Sequence, residues 1–327
     1  MSRAAMGNDR ELLQRLIAGP VSGDALARAG GQTRAAVWKR IQALRDAGIA
    51  IDARPGRGYA LSEPVELLDA ARIEEELPAR LRPQIATLEC AWALDSTNSE
   101  LLRRPTPAQG VAALMAEQQT GGRGRRGRTW ASPLAGNLYL SLARQFSGGL
   151  ARLGGLSLVA GVAAAEALQA QGVAAVRLKW PNDLVVADRK LGGLLIEGGG
   201  EHGGPVRAVI GLGLNVRMPS TAAAAIAQPW VDIAALTALP PSRNRIAAAV
   251  LEHLLPALAL FDREGLAPFL PRFAALDALA GRQVRVISEQ QHRSGIAEGI
   301  AEDGALRVRI DGIVQSVHAG EISVRAQ

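Results

Sequence analysis

Between residues 175 and 214 the chain holds four strand-like runs, at 175–179, 183–187, 190–197 and 206–214, separated only by short turns. Neighbouring parallel strands need a crossover of a dozen or more residues, and these gaps hold none. A doubly wound sheet is therefore excluded, and hairpins in a mixed or antiparallel sheet are predicted. Upstream, strands at 86–94, 111–118 and 137–144 alternate with helices at 97–103 and 152–170; further helices follow at 232–238, 243–262 and 264–275. The expected class is α+β, with helices flanking one central sheet.

Two smaller units flank this block. Leu12, Leu13, Leu16 and Ile17 have helical spacing, Ser22 and Thr33 stand at helix-cap positions, and Gly30-Gly31 makes a turn between the second and third helices. A two-stranded wing around Arg54-Pro55-Gly56-Arg57 completes a winged helix-turn-helix. Arg34, Trp38, Lys39, Gln42 and Arg45 are placed on the outer face of its last helix. Arg34, Trp38, Lys39, Arg54 and Arg57 are the candidate DNA contacts; the other reading of this unit is a protein-interaction module. At the other end, residues 280–326 show period-2 runs divided by turns, which predicts a small five-stranded barrel. The division is 1–63 winged helix-turn-helix, 64–87 connector, 88–277 catalytic domain and 278–327 barrel.

A net charge of +6 favours anionic partners. Of 37 basic residues only Lys39, Lys179 and Lys190 are lysine, which marks the last two as positions where a compact charge matters. Cys90 is the single cysteine, so no internal disulfide is possible and a cytoplasmic setting is expected. Residues 1–10 are polar, unlike a signal peptide, and the apolar stretch at 156–168 is too short and polar to span a membrane; no membrane association is expected.

Residues 118–130, QQTGGRGRRGRTW, contain a formal G-x-G-x-x-G. A dinucleotide fingerprint opens a helix, whereas this run leads into the strand Asn137-Leu-Tyr-Leu-Ser-Leu. A nucleic-acid arm would sit in a disordered terminus rather than between two buried strands. The remaining reading is a long, mobile, cationic loop over an anionic ligand. Asp95-Ser-Thr-Asn98, between a strand and a helix, offers polar groups to a ligand or caps that helix. Lys179-Trp-Pro-Asn-Asp183, Asp188-Arg-Lys-Leu-Gly-Gly193 and Gly211-Leu-Gly-Leu-Asn-Val216 fall at tight turns or beside glycines that permit close backbone approach.

In this order, DSTN, QTGGRGRRGRTW, GNLYLSL, KWPND, DRKLGGLLIE and GLGLNV resemble the biotin protein ligase family, and with the winged helix its bifunctional repressor branch. The resemblance implies a central domain like that of class II aminoacyl-tRNA synthetases and biotin ligases, with an SH3-like C-terminal barrel. It implies formation of biotinyl-5′-adenylate from biotin and ATP, with Mg²⁺, then transfer of biotin to a lysine of a biotin carboxyl carrier protein. For the repressor branch it implies operator DNA and a homodimer promoted by the adenylate. Carried onto this sequence, Arg125 and Lys190 are the catalytic candidates. Ser96, Thr97, Asn98, Gln119, Arg123, Gly124, Arg125, Lys190, Gly211 and Gly213 would bind biotin. Arg125, Arg128, Trp130, Lys179, Asn182, Asp183, Asn215 and Trp230 would bind ATP or the adenylate, with Asp183 orienting the metal. Competing readings are lipoate or octanoyl transfer and a small-molecule sensor without ligase activity.

Overall fold

A computed structural model describes residues 3–54, 56, 58–147, 149, 153–200, 206–224, 226–287, 292–319 and 323–326. The N-terminal unit comprises α1 (Arg3–Ala18), α2 (Gly23–Ala29), α3 (Arg34–Asp46), β1 (Ile51–Arg54) and β2 (Gly58–Leu61). Ser22 and Thr33 accept from the Ala25 and Ala36 N–H groups, so both expected caps form. Leu13, Leu16, Val37, Ile41 and Leu44 close its core. Arg45 turns inward instead of outward, because its guanidinium donates to the Ile51 carbonyl at 2.7 Å and ties α3 to the wing.

The connector carries α4 (Ala70–Glu76) and leads into β3 (Ile85–Leu94), α5 (Thr97–Arg103), β4 (Val111–Gln119), β5 (Leu138–Phe146), α6 (Leu156–Ala170), β6 (Arg177–Lys179), β7 (Asp183–Val186), β8 (Arg189–Gly200) and β9 (Val206–Leu214). The seven strands lie in the order β3-β4-β5-β9-β8-β7-β6. β3 and β4 are parallel, joined through α5, and every other pair is antiparallel. The mixed sheet expected from the turn spacing is therefore present.

Alternation along β5 and β9 sorts side chains to two faces. Leu138, Leu140 and Leu142 with Ile210, Leu212 and Leu214 pack into the main core with α6 and with α8 (Arg243–Glu264). Ser141 and Tyr139, paired with Gly211 and Gly213, point the other way. α8 is long and apolar enough to cross a membrane, but most of it is buried inside this core. Between β9 and α8 lies the short α7 (Ser220–Ala223). The helix expected at 232–238 is reduced to a 3-10 turn at Ile233–Ala235, consistent with Pro240-Pro241 disfavouring helical backbone just before them. Gly265, at φ 72°, ends α8, and α9 (Leu270–Leu276) follows.

The C-terminal strands β10 (Gln283–Ile287), β11 (His292–Ile300), β12 (Leu306–Ile310), β13 (Ile313–Val317) and β14 (Ser323–Ala326) form one antiparallel sheet in the order β13-β12-β11-β10-β14. Val284, Ala297, Leu306 and Val308 join the same hydrophobic cluster as the central domain. The connector is also fastened to the centre: Glu117 accepts from the Leu68 N–H at 2.5 Å and pairs with Arg243 at 2.7 Å. Glu117 and Arg243 are 1% and 3% exposed, so this charge pair is in the interior.

Candidate functional site

A cavity of about 890 Å³ opens over the outward face of β5, β9, β8 and β7. Its floor is read from the strand register. Tyr139, Gly213, Gly193 and Asp183 are successive cross-strand partners, and so are Ser141, Gly211 and Leu195. Glycine is required at two of these places. A Cβ on Gly211 would stand 2.2 Å from Asn98 Oδ1, and one on Gly213 would stand 2.5 Å from the Trp130 ring.

One end of the cavity is a polar network. Ser96 caps α5, accepting from the Ser99 N–H. The Thr97 N–H and hydroxyl both donate to Gln119 Oε1, at 2.9 and 3.1 Å, and the Gln119 amide reaches Ser132 at 3.1 Å. Asn98 is fully engaged by the protein. Its amide donates to the Leu195 carbonyl and to Glu197, and its oxygen accepts from Ser141. Arg123 donates to Glu197 and Ser99, both at 3.0 Å.

The other end is ionic. Lys190 Nζ lies 2.7 Å from Asp183 and 5.5 Å from the centre of the Trp130 ring, with Gly193 leaving room for its side chain. Lys179 stands opposite Asp183 in the register of the β6–β7 hairpin. Asn182 Oδ1 accepts from Arg125 at 3.2 Å, and its amide is spent on the Leu194 carbonyl. Arg125 also donates to the Ala319 carbonyl of the C-terminal domain. Burial, then the neighbouring Arg126 and Arg128, depress the Arg125 pKa, while Asp183 opposes them. A half-buried guanidinium surrounded by like charge is suited to an anion.

The arginine loop is folded back on itself. Gly124 N–H donates to the Arg128 carbonyl at 2.7 Å and Trp130 N–H to the Gly122 carbonyl at 2.9 Å, around a 3-10 turn at Arg125–Gly127 in which Arg126 has φ 58°. It is a hydrogen-bonded turn that presents its arginines.

Most of the candidate residues line this one cavity: Ser96, Thr97, Asn98, Gln119, Arg123, Gly124, Arg125, Arg128, Trp130, Lys179, Asn182, Asp183, Lys190, Gly211 and Gly213. Asn215 and Trp230 do not line it. Asn215 is buried behind β8, its amide donating to the Lys190 and Val231 carbonyls, so it supports the strand that carries Lys190. Trp230 bridges Lys190 through its backbone, while Ala227, Gln228 and Pro229 form the wall beside it. The sequence reading missed Ser141, Trp180, Glu197 and Arg282. Ser141 and Glu197 had a signal, as polar residues within apolar strand runs; Arg282, paired with Asp188 at 2.6 Å at the edge of the cavity, had none.

On the N-terminal unit, Arg34, Trp38, Lys39 and Arg54 are exposed, with Arg34 ion-paired to Asp24 and Arg54 3.7 Å from Asp52. Arg57 lies outside the described residues. Among the described residues no group of three or more His, Cys, Asp or Glu could hold a metal by itself.

A cationic loop and a lysine-bearing strand thus face a polar pocket across a glycine floor, and a winged helix precedes them in the chain. Residues 93–215 match the biotin/lipoate A/B protein ligase family, 9–60 a helix-turn-helix domain and 280–325 the biotin protein ligase C-terminal domain. The chain is 42% identical over 305 residues to the bifunctional ligase/repressor BirA of Escherichia coli, covering 93% of each chain, and matches that of Salmonella typhimurium equally well. It belongs to the biotin protein ligase family. The fold also matches a solved biotin protein ligase from Aquifex aeolicus in complex with biotin and ATP, at TM-score 0.62 and 26% identity, over 74% of this chain and 100% of that one.

Proposed function

We infer that the chain is an ATP-dependent biotin protein ligase and a biotin-responsive repressor. The observation that carries the ligase reading is that the polar network and the Lys190–Asp183–Arg125 group share one cavity over one glycine floor. A biotin carboxylate oxygen attacks the α-phosphorus of ATP, and the bond to the β-phosphate breaks to release diphosphate. An amine of a biotin carboxyl carrier protein then attacks the acyl carbon, and the bond to AMP breaks as the amide forms.

Joining two anions costs about 4 kcal/mol per charge pair near 4 Å at an effective dielectric of 20. In this reading Arg125, Arg128 and Lys190 offset that cost by fixed position. Arg123, Gly124, Ser96, Thr97, Asn98, Gln119, Gly211 and Gly213 shape the biotin end, and Lys179, Asn182, Asp183 and Trp130 face the nucleotide. Mg²⁺ fits as an ion carried by the ATP phosphates with Asp183 as its one protein carboxylate, since the donor set makes no all-protein cage. It would add charge neutralisation to the triphosphate.

Incubation with labelled biotin, ATP and a carrier domain tests the reading: adenylate and labelled carrier are expected. Arg125→Ala should lose most adenylate synthesis with little change in melting temperature. Lys190→Arg should also fail, because Gly193 leaves room for a slim ammonium stem; full activity in either variant refutes the assigned role.

For the winged helix, binding to its own biotin operator as an adenylate-dependent homodimer is part of the same proposal, through Trp38, Lys39, Arg34, Arg54 and Arg57. A gel shift with that promoter, with and without biotin and ATP, checks it. The exposed Trp38 and the Asp24-paired Arg34 favour a second reading, a protein-binding winged helix, if no shift is seen. The cytoplasmic setting and the four-part division of the chain belong to the proposal as well.

A further inference from the structure

Three of the motifs meet at a single carboxylate oxygen. Glu197, on β8 opposite Val209, accepts through Oε2 from Asn98 Nδ2 at 2.9 Å and from Arg123 Nη2 at 3.0 Å. Asn98 lies in the first turn of α5, and Arg123 is the first arginine of the loop. The same Arg123 nitrogen also reaches Ser99 Oγ at 3.0 Å, so the loop is fastened to both β8 and α5. The Arg123 side chain is 43% exposed and that of Glu197 24%, a pair too solvated to add much to fold stability. Its geometry, however, is fixed by charge-assisted hydrogen bonds.

The pairing also divides the charges around the cavity. Arg123 is opposed by Glu197 and Lys190 by Asp183, whereas among the described residues neither Arg125 nor Arg128 has a salt-bridge partner. We propose that Glu197 is a positioning residue for the ligase: it clamps Arg123 against α5 so that the arginine loop covers the biotin end in one geometry, and it offsets Arg123 while Arg125, Arg126, Arg128 and Lys179 keep no salt-bridge partner among the described residues. This rests on the ligase reading above. A clamp of this kind acts on retention of the ligand, and so on biotin KM and adenylate release, more than on kcat.

Glu197→Gln is the sharpest probe. It keeps an acceptor for Asn98 and removes only the charge opposite Arg123. Adenylate is formed on the enzyme from ATP and labelled biotin, and its release is followed alongside KM, kcat and melting temperature. Release and biotin KM should rise about tenfold with kcat changed far less, because a loop no longer held over the biotin end lets the ligand leave sooner while the groups at the phosphate end keep their positions. Arg123→Ala should do the same, and the double variant should be no worse than Arg123→Ala alone, the signature of one shared interaction. Unchanged release in Glu197→Gln, or effects that multiply in the double variant, would overturn the clamp. Should Glu197→Gln melt early, Arg123→Gln breaks the same pair from its more exposed side and carries the same test. A parent protein that makes no adenylate overturns the ligase reading instead.

Discussion

Gly213→Ala tests the glycine floor directly. The added Cβ would lie 2.5 to 2.8 Å from three atoms of the Trp130 indole, so something must shift. β9 cannot do so easily, being bonded to β5 on one side and β8 on the other with its opposite face in the core. Trp130 can: it lines the cavity, and its buried indole N–H has no hydrogen-bond partner among the described residues. The ring should tilt into ligand space and displace Lys190, which sits 5.5 Å from the ring. Overpacking of a rigid core costs about 1–3 kcal/mol, and relief by a mobile ring puts this change at the low end. That is a loss of roughly 2–4 °C in melting temperature. Adenylation should fall far more, by about a hundredfold, the usual effect of a 1 Å misplacement. Gly211→Ala supplies the contrast. Its Cβ would meet Asn98 Oδ1 at 2.2 Å, and Asn98 is 4% exposed with both ends of its amide bonded. Moving it leaves buried polar groups unpaired, at about 1–3 kcal/mol each, so stability and activity should fall together. Diphosphate exchange and thermal melts on both variants check this. Gly213→Ala adenylating at the parent rate, or melting as early as Gly211→Ala, would refute the reasoning.

Glu117→Gln keeps an acceptor for the Leu68 N–H but strands a buried Arg243 charge, and urea unfolding should show a loss of about 3–5 kcal/mol that Glu117→Gln with Arg243→Met largely restores. Asp95 is held down to about 2, chiefly by hydrogen bonds from Arg103. Because this folded pKa lies below the unfolded value near ~3.9, the contribution is complete above that pH and is lost as pH falls toward 2, and Arg103→Ala should return the Asp95 titration, followed by NMR, toward its usual range. Burial pushes the Cys90 thiol up to about 12, so alkylation at pH 8 should be slow in the folded protein and reach the free-thiol rate in urea. Inorganic diphosphate should raise the melting temperature of the parent at low salt but not that of Arg125→Ala with Arg128→Ala, and a rise in the double variant would remove those arginines from the anion site.

The sheet was legible because its signals are local: short turns at 180–182 and 187–188 leave no space for a crossover, and alternation in β5 sets one face toward the core. The cavity-lining candidates were legible because lysine, arginine, glycine and asparagine at strand ends serve few other purposes. What escaped depends on pairing at long range. The sequence offers Arg123 as a biotin-binding candidate, and only the fold brings Glu197, 74 residues away, against it. Asn215 looked like a ligand for the reason it is useful as a brace, since an amide can satisfy two carbonyls at once. Arg45 reads as outward by helical spacing, yet its long side chain reaches back to the wing.

The remaining question is how a winged helix could respond to a ligand it does not touch. Leu134, at the far end of the arginine loop, is buried in the N-terminal core with Leu13 and Val37. Gly48, just after α3, faces Pro219, whose ring a Cβ at residue 48 would meet at 3.3 Å, and the chain from Pro219 leads on to the Ala227–Pro229 wall of the cavity. Gly136 ties the two segments together, its carbonyl accepting from the Arg217 N–H at 2.9 Å. Both segments that border the cavity thus reach the winged helix, one in its core and one on its surface. A ligand that orders them favours particular contacts at those roots, and by reciprocity any state of the winged helix that favours the same contacts tightens ligand binding by an equal free energy. No relay of residues across the molecule is needed, because the segments that line the cavity are the ones that meet the winged helix.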